Sequence, residues 1–277
     1  MTFTPSVAQV AMDLFKKSYT AHQKRLLPLS QNQFAPLLYQ YEQLLLAPPH
    51  PYDHTDAEQL QENLSDMSSI LRPDEIQQFL NLTISYEQHP HYSPVTGTFI
   101  TKLIELSQQR HQQFELNLTG IKPLDFLCFG LAAREDLTVI MRGMIGHHCI
   151  QAAEQGTYFI ESALNNCGRA VDSATIYIKQ AGNYTAQGAF YSQFYIYDTG
   201  CWCGTSSKYG NLYINNAGEW CGSNQRKEQG GSEFLTANND LLTQMQHDFK
   251  GVPATLITAQ KWDQLWAPAA KIFGDGR

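Results

Sequence analysis

A short strand-like segment that ends in isoleucine recurs through the middle of this chain at a nearly constant interval. The segments are Thr138–Ile140, Tyr158–Ile160, Ile176–Ile178, Phe194–Ile196 and Leu212–Ile214, and their isoleucines lie 20, 18, 18 and 18 residues apart. A fixed period with one strand per repeat is typical of a solenoid, in which each coil stacks on the one before it. This period constrains the fold more than any other feature of the sequence.

The positions that follow each strand also repeat. Small residues and cysteines, each followed by glycine, recur in the pairs Ala181-Gly182, Thr199-Gly200, Ala217-Gly218, Cys167-Gly168, Cys203-Gly204 and Cys221-Gly222. We interpret the glycines as corner residues that need positive φ, which glycine adopts without steric cost. Asn165 and Asn183 suit the same corners, because asparagine tolerates the left-handed region. Cys203 and Cys221 are predicted to be buried structural thiols.

Hydrophobic periodicity divides the chain into three regions. Residues 1–112 have helical spacing, residues 113–231 carry the strand repeat, and residues 232–277 return to helical spacing. We predict an α+β protein with an N-terminal helical bundle, a central β-helix with one strand in each coil of about 18 residues, and a C-terminal helical cap. The β-helix is expected to be right-handed, as parallel crossovers are. The cap is expected to cover its open end, which would otherwise be an exposed edge.

The strand and corner repeats resemble those of the glycine-repeat β-helix family. The runs that carry the resemblance are Ile178–Tyr184, Ile196–Gly200 and Ile214–Gly218, within residues 137–231. Members of that family include the C-terminal domain of the large chain of glutamate synthase and the β-helical subunit of formylmethanofuran dehydrogenase. The family's glycine two residues after the strand is replaced here by Gln180, Asp198 and Asn216. The resemblance implies a structural domain that positions other domains or subunits and has no catalytic residues.

Alternation along each strand assigns the repeat to two faces. One inward ladder is predicted to contain Ile160, Ile178, Ile196 and Ile214. The opposite face carries Tyr177, Tyr195 and Tyr213, and a second column, six residues after the isoleucine, carries Tyr184, Trp202 and Trp220. If these rings are open to solvent they form a binding surface, since exposed apolar patches mark contacts. If flanking helices cover them, they belong to the core.

One short run contains residue types that are found in catalytic sites. His147, His148 and Cys149 are adjacent, so a thiol could lie beside a basic ring, as in enzymes with a cysteine nucleophile. Neighbouring residues on an extended segment point to opposite sides, so the three do not readily converge on one metal ion. The run is a candidate for catalysis, and a polar corner of a coil is the alternative.

Two histidine-containing loops form the candidate metal site. His50, Asp53 and His54 lie in the first loop, and His89 and His91 lie in the second. In an up-and-down bundle both loops would lie at the same end. The alternative is that these histidines occupy surface loops without binding anything. No cofactor is predicted.

Composition argues against several classes of function. The net charge of −7 disfavours nucleic acid as a partner, because phosphate binding needs a basic surface. No apolar run approaches the roughly 18 residues of a membrane span, and the N-terminal residues do not resemble a secretory signal. Six cysteines in 277 residues do not indicate a disulfide scaffold. We therefore expect a cytoplasmic protein.

These patterns predict a non-enzymatic scaffold or assembly protein. It would bind a protein partner through the faces of its β-helix and could form homo-oligomers. One alternative is a carbohydrate-active β-helix enzyme or binder that uses the outward aromatic ladder. The other is a cysteine-dependent enzyme centred on Cys149.

Overall fold

A computed structural model describes residues 34–46, 62, 64, 67–222, 233–248 and 254–274. The chain forms two compact units, Met1–Gln43 and Leu44–Arg277. Helix α1, Ala35–Leu46, falls mostly in the first unit. The described part of the second unit contains α2 (Pro73–Thr83), a 3-10 turn (Ile84–Tyr86), α3 (Tyr92–Ser107), eight β-strands, α4 (Asn239–Asp248) and α5 (Ala259–Phe273).

The eight strands form one parallel sheet in which each strand pairs with the next along the chain, as in a β-solenoid. They are β1 (Gln113–Asn117), β2 (Thr138–Ile145), β3 (Thr157–Ala163), β4 (Thr175–Ala181), β5 (Gln193–Thr199), β6 (Asn211–Ala217), β7 (Glu233–Thr236) and β8 (Ala254–Leu256). From β3 to β6 each residue pairs with the residue 18 positions later, as Tyr177 does with Tyr195. The predicted α+β fold with a solenoid of 18-residue coils is confirmed.

The interior of the solenoid is filled by two stacked columns from each strand. Ile160, Ile178, Ile196 and Ile214 are partners in neighbouring strands and are at most 1% exposed. The predicted inward ladder is therefore confirmed. A second inward column contains Tyr158, Ile176, Phe194 and Leu212, which are equally buried. Burial of these apolar side chains is the main stabilising contribution of the coil.

The register changes between the second and third strands. Met141 pairs with Ile160, whereas Ile140 lies opposite Phe159 on the outward face. Ile140 therefore follows the isoleucine series by spacing but does not join the inward column. A β-bulge between Met141 and Met144 follows in β2, and it adds one residue that has no partner in β3. Because side chains alternate, a shift of one residue moves Ile140 to the other face.

The corner glycines fall into two groups with different physical causes. Gly168, Gly204 and Gly222 have positive φ, as predicted. The prediction is wrong for Gly182, Gly200 and Gly218, which lie outside the positive-φ region. A Cβ atom on Gly200 would lie 2.2 Å from Asn183 Oδ1, which accepts a hydrogen bond of 2.8 Å from the Cys201 N–H of the next coil. Gly182 and Gly200 therefore make room for the side chains of Asn165 and Asn183, and Gly218 makes room for Cys201 Sγ.

Outside the sheet, each coil places residues with positive φ at alternate positions. In one coil these are Tyr184, Ala186 and Gly188, with φ of 60, 57 and 64°. Their N–H groups point alternately to the next and the previous coil: Tyr184 donates to Cys201 O, and Ala186 donates to Cys167 O. The left-handed conformation is sterically unfavourable for residues other than glycine. Here it lets alternate N–H groups bond to the two neighbouring coils, so the backbone groups of this wall are paired.

Helices α2 and α3 close the first coil with side-chain hydrogen bonds. The Gln77 amide on α2 accepts from Asn117 N at 2.8 Å and donates to Asn117 O at 3.2 Å, as a neighbouring strand would. Ser93 Oγ on α3 accepts from Asp125 N at 2.8 Å. At Asn117 the edge of the sheet is therefore paired by a side chain, which helps to block pairing with another strand there.

Helix α5 lies on the outward face of the sheet and crosses several strands. Trp266 contacts Tyr177 in β4 and Tyr197 in β5, and the Ile272 carbonyl accepts a 2.7 Å hydrogen bond from Arg142 in β2. A 15-residue helix is about 21 Å long. That length matches the roughly 19 Å spanned by four strand spacings from β2 to β6. The sheet itself continues past residue 231 through β7 and β8, and α4 packs against these last strands.

Candidate interaction surface

The predicted column on the outward face of the strands is real, but a helix covers part of it. Phe159, Tyr177, Tyr195 and Tyr213 form a continuous stack, which we call the covered ladder. Its ring centroids are 4.5–4.8 Å apart and its planes differ by at most 11°. The edge of Tyr177 meets Trp266 of α5 at 6.3 Å, and only 8% of Tyr177 is exposed. Burial raises the pKa of Tyr177 and raises that of Tyr195 to about 12. The covered ladder therefore mainly forms the surface on which α5 packs.

The second predicted column remains open to solvent. Tyr184, Trp202 and Trp220 stack with centroids 6.2 and 5.3 Å apart, and we call them the tryptophan ladder. Tyr184 is 38% exposed and Trp220 is 46% exposed. All three residues have φ near 60°, the first left-handed position after the corner. This backbone conformation turns the rings away from the packed interior.

A third stack was not predicted from the sequence. Tyr191 and Tyr209 lie 5.0 Å apart with planes 15° from parallel, and we call them the tyrosine ladder. They are 59% and 55% exposed, and the adjacent Phe190 is 39% exposed. The signal was present, because both tyrosines lie five residues before an inward isoleucine, at the same 18-residue interval.

The two open ladders flank the wall of the coil that lies outside the sheet. The tryptophan ladder lies just after the C-terminal ends of the strands, and the tyrosine ladder lies just before their N-terminal ends. The exposed residue between Trp202 and Tyr209 in one coil is Ser206, whose side chain is small. Two rows of aromatic side chains therefore border a wall that also carries the partly exposed Lys208 and, one coil earlier, the exposed Phe190.

The run of two histidines and a cysteine does not form a reactive site. Cys149 is completely buried, and its Sγ donates to Leu124 O at 3.2 Å. Burial raises the pKa of the Cys149 thiol well above its usual value. His148 Nδ1 lies 2.8 Å from Gln151 Oε1, and its ring stacks on Phe126. The His147 ring centroid lies 6.5 Å from that of His148. A nucleophile needs an accessible thiolate, so this arrangement does not support catalysis at Cys149.

The histidine loops provide only a pair of side chains in the described part of the chain. His50, Asp53 and His54 lie outside the described residues. The His89 and His91 rings are 5.6 Å apart, and the His91 N–H donates to His89 Nδ1. Burial lowers the pKa of both rings, and His91 further lowers that of His89. Among the described residues, no group of three or more His, Cys, Asp or Glu side chains is placed to hold a metal ion.

Most of the cysteines stack inside the coils. Cys149, Cys167, Cys203 and Cys221 occupy one column, with Thr185 in its middle, and all five are buried. Contact with Cys203 and burial together raise the pKa of Cys221 well above its usual value. Cys128 is buried in the first coil, and Cys201 alone of the six is half-exposed. These thiols are packed as small apolar residues.

Comparison with family models, curated proteins and solved structures finds no match for this chain. None of the helices in the described ranges has the length and apolar character needed to cross a membrane.

Proposed function

We propose that this protein is a non-enzymatic assembly protein that binds a protein partner through its two open aromatic ladders. The observation that carries the proposal is the exposure of Tyr191, Tyr209 and Trp220, each of which leaves about half of its surface in water. Aromatic side chains of this kind commonly anchor protein interfaces. The role agrees with what the glycine-repeat resemblance implies, and we also propose a cytoplasmic location.

The stacking geometry favours a protein partner over a saccharide at these ladders. In the tryptophan ladder the planes of successive rings are 9–16° from parallel, so each face is covered by the next ring. The ring edges therefore point outward. A sugar ring binds to an aromatic face, whereas aromatic edges can pack against a protein surface.

Two double variants test the proposal, and both use residues that the solenoid already accepts. Trp202→Asn with Trp220→Asn places asparagine in the column where Asn166 has the same left-handed φ. Tyr191→Ser with Tyr209→Ser places serine in the column of Ser173, which has a φ of 55°. The backbone conformation is thereby preserved while the rings are removed.

The measurement is affinity for a partner captured from the native host, with Tyr39→Ser as the matched control. Tyr39 is 64% exposed but lies on α1, in the first unit. Loss of anchoring rings is expected to weaken binding by about 30-fold or more, the equivalent of roughly 2 kcal/mol. If both double variants bind as tightly as the Tyr39→Ser control, the ladders are not the interface.

A further inference from the structure

Two faces of helix α5 have different surroundings. Toward the C-terminal end, Ala269 is fully buried in a cluster with Ile140, Phe159 and Tyr177. The Arg142 hydrogen bond to Ile272 O fixes the last turn. A second face of the helix, from Ala259 to Lys271, lines a groove of about 680 Å³ together with Tyr197 of β5 and Asn215 of β6. That volume is within the range of about 300–1,000 Å³ that is typical of small-molecule sites.

Short side chains on the helix and an outward column of the sheet form the two walls of the groove. Ala267 and Ala270 line it from α5, and Tyr197 and Asn215 line it from neighbouring strands. Because Asp198 pairs with Asn216, Tyr197 and Asn215 belong to the same column, and the groove follows the direction of stacking. The alanines leave space that longer side chains would fill.

The groove contains one stacked pair of rings and one tilted ring. Trp262 and Trp266 are nearly parallel, with centroids 5.9 Å apart. Tyr197 is tilted by 48° to Trp266 and by 52° to Trp262. Trp262 and Trp266 overlap as the ladder rings do, whereas Tyr197 does not cover the face of either tryptophan. Tyr197 and Trp266 are only half-buried, so part of each ring borders the groove.

Polar groups of both charge signs also line the groove. Asp263 and Lys271 contribute a carboxylate and an ammonium group from α5, and Asn215 contributes an amide from β6. Together with the Tyr197 hydroxyl they supply both donors and acceptors. An apolar ligand would leave the Lys271 ammonium, the Asn215 amide and the Tyr197 hydroxyl without partners, which is unfavourable for groups that binding removes from water. A strongly charged ligand would meet a like charge at one end of the groove.

We propose that this groove binds a neutral saccharide. Sugar hydroxyl groups both donate and accept hydrogen bonds, which matches the amide, carboxylate, ammonium and phenol groups. The apolar face of a sugar ring matches the accessible parts of Tyr197 and Trp266. The groove is lined by residues of two neighbouring strands, so it extends along the stacking direction, and a chain of sugar units would follow that direction. This site is separate from the open ladders and does not depend on the proposed protein partner.

Tryptophan fluorescence provides a direct test. The chain has four tryptophans, so a Trp202→Phe, Trp220→Phe double variant emits only from Trp262 and Trp266. This variant is titrated with cellohexaose, maltohexaose, laminarihexaose and chitohexaose, and in parallel with adenosine and free phenylalanine. At least one oligosaccharide is expected to change the emission saturably. The proposal is overturned if none does, or if only adenosine or phenylalanine does.

Groove-filling variants then locate the site. Ala270→Leu adds a side chain inside the groove and is expected to weaken saccharide binding by about tenfold or more. Gln264→Leu is the matched control, because position 264 is exposed and lies about 120° around the helix from Ala270. Asp263→Asn, at an exposed position, removes a charge without adding volume and should also weaken binding, even if Ala270→Leu fails to fold. Saccharide binding that is unchanged in both groove variants would place the ligand elsewhere and overturn the proposal.

Discussion

Gly97 is the position at which a single methyl group should separate helix α3 from the solenoid. It lies on α3 between Ser93 and Thr101, which both bond to the backbone of the first coil. A Cβ atom at position 97 would lie 1.9 Å from Asp125 O and 3.0 Å from Asp125 C. Both are backbone atoms, so no side chain can rotate away. Ordinary contact begins near 3.4 Å, so Gly97→Ala requires α3 to move by about 1.5 Å.

The hydrogen bonds on either side of Gly97 determine what this movement costs. Ser93 Oγ accepts from Asp125 N at 2.8 Å, and Thr101 Oγ1 accepts from Cys128 N at 2.7 Å. A displacement of 1.5 Å takes both pairs beyond hydrogen-bonding range. Each buried group left without a partner costs about 1–3 kcal/mol, so we expect the free energy of unfolding to fall by about 2–6 kcal/mol.

The sign of the effect distinguishes this reasoning from helix propensity. In the interior of an unobstructed helix, replacing glycine by alanine stabilises the protein by about 0.5–1 kcal/mol. Urea unfolding followed by tryptophan fluorescence reports the second unit alone, because all four tryptophans lie in residues 44–277. Ser93→Ala and Thr101→Ala, which remove the bonds without a clash, should each cost about 1–3 kcal/mol. A Gly97→Ala protein that is as stable as the unchanged protein would refute the close packing of α3 on the first coil.

Three further outcomes follow from the ladders. Ile196→Ala should lower the free energy of unfolding by about 2–5 kcal/mol in urea titrations, because it removes a fully buried core side chain; a loss below about 1 kcal/mol would contradict the stacked interior. In the native protein a bulky thiol reagent should label Cys201 first, and Cys203→Ser should lower the melting temperature; rapid labelling of Cys203 would contradict its burial. The pKa of Tyr195 is raised from about 10 to about 12. Its contribution to stability is therefore complete below pH about 10 and is lost as the pH rises toward about 12. Tyr195→Phe should reduce the loss of stability that urea titrations show at alkaline pH. An unchanged loss would contradict the burial of Tyr195.

The repeat could be predicted from the sequence because it is enforced in every coil. Ile178, Ile196 and Ile214 recur at a fixed interval since each must fall on the inward face of a strand in register with the next. Where the coil length changes, the same pattern misleads. Ile140 fits the isoleucine series by spacing, but the register places Met141 in the core. A bulge leaves no mark in composition, so this change of face could not be read from the sequence.

Glycine is required at the corners for two different reasons. Positive φ is a local property of the chain, so Gly204 could be predicted from its place in a tight corner. Gly200 is required for a different reason, the approach of Asn183 from the preceding coil. That contact joins residues 17 positions apart in sequence and follows only from how the coils stack. The repeat identified both glycine positions, but only the positive φ of Gly204 could be inferred from the local sequence.

Coverage of the first aromatic column could not be predicted for a similar reason. The spacing of Trp262, Leu265 and Trp266 indicates a helix with an apolar face, but an apolar face does not specify the surface it packs on. The sequence predicted a cap at the end of the solenoid, whereas α5 packs on Tyr177 and Phe159. Which aromatic column is covered and which stays open therefore depends on this tertiary contact.

The open ladders raise the question of whether their rings serve the fold or a partner. Stacked aromatic pairs contribute about 0.5–1.5 kcal/mol beyond their burial, so Trp202 and Trp220 stabilise the coils to some extent. Stacking alone does not explain why large rings occupy left-handed positions, since Asn166 fills the same column and suits that conformation better. It also does not explain the tyrosine ladder, whose members leave more than half of their surface in water. If stacking were the whole role, the asparagine and serine double variants would lose stability and keep partner binding. Recognition requires the opposite result, a stable solenoid that no longer binds.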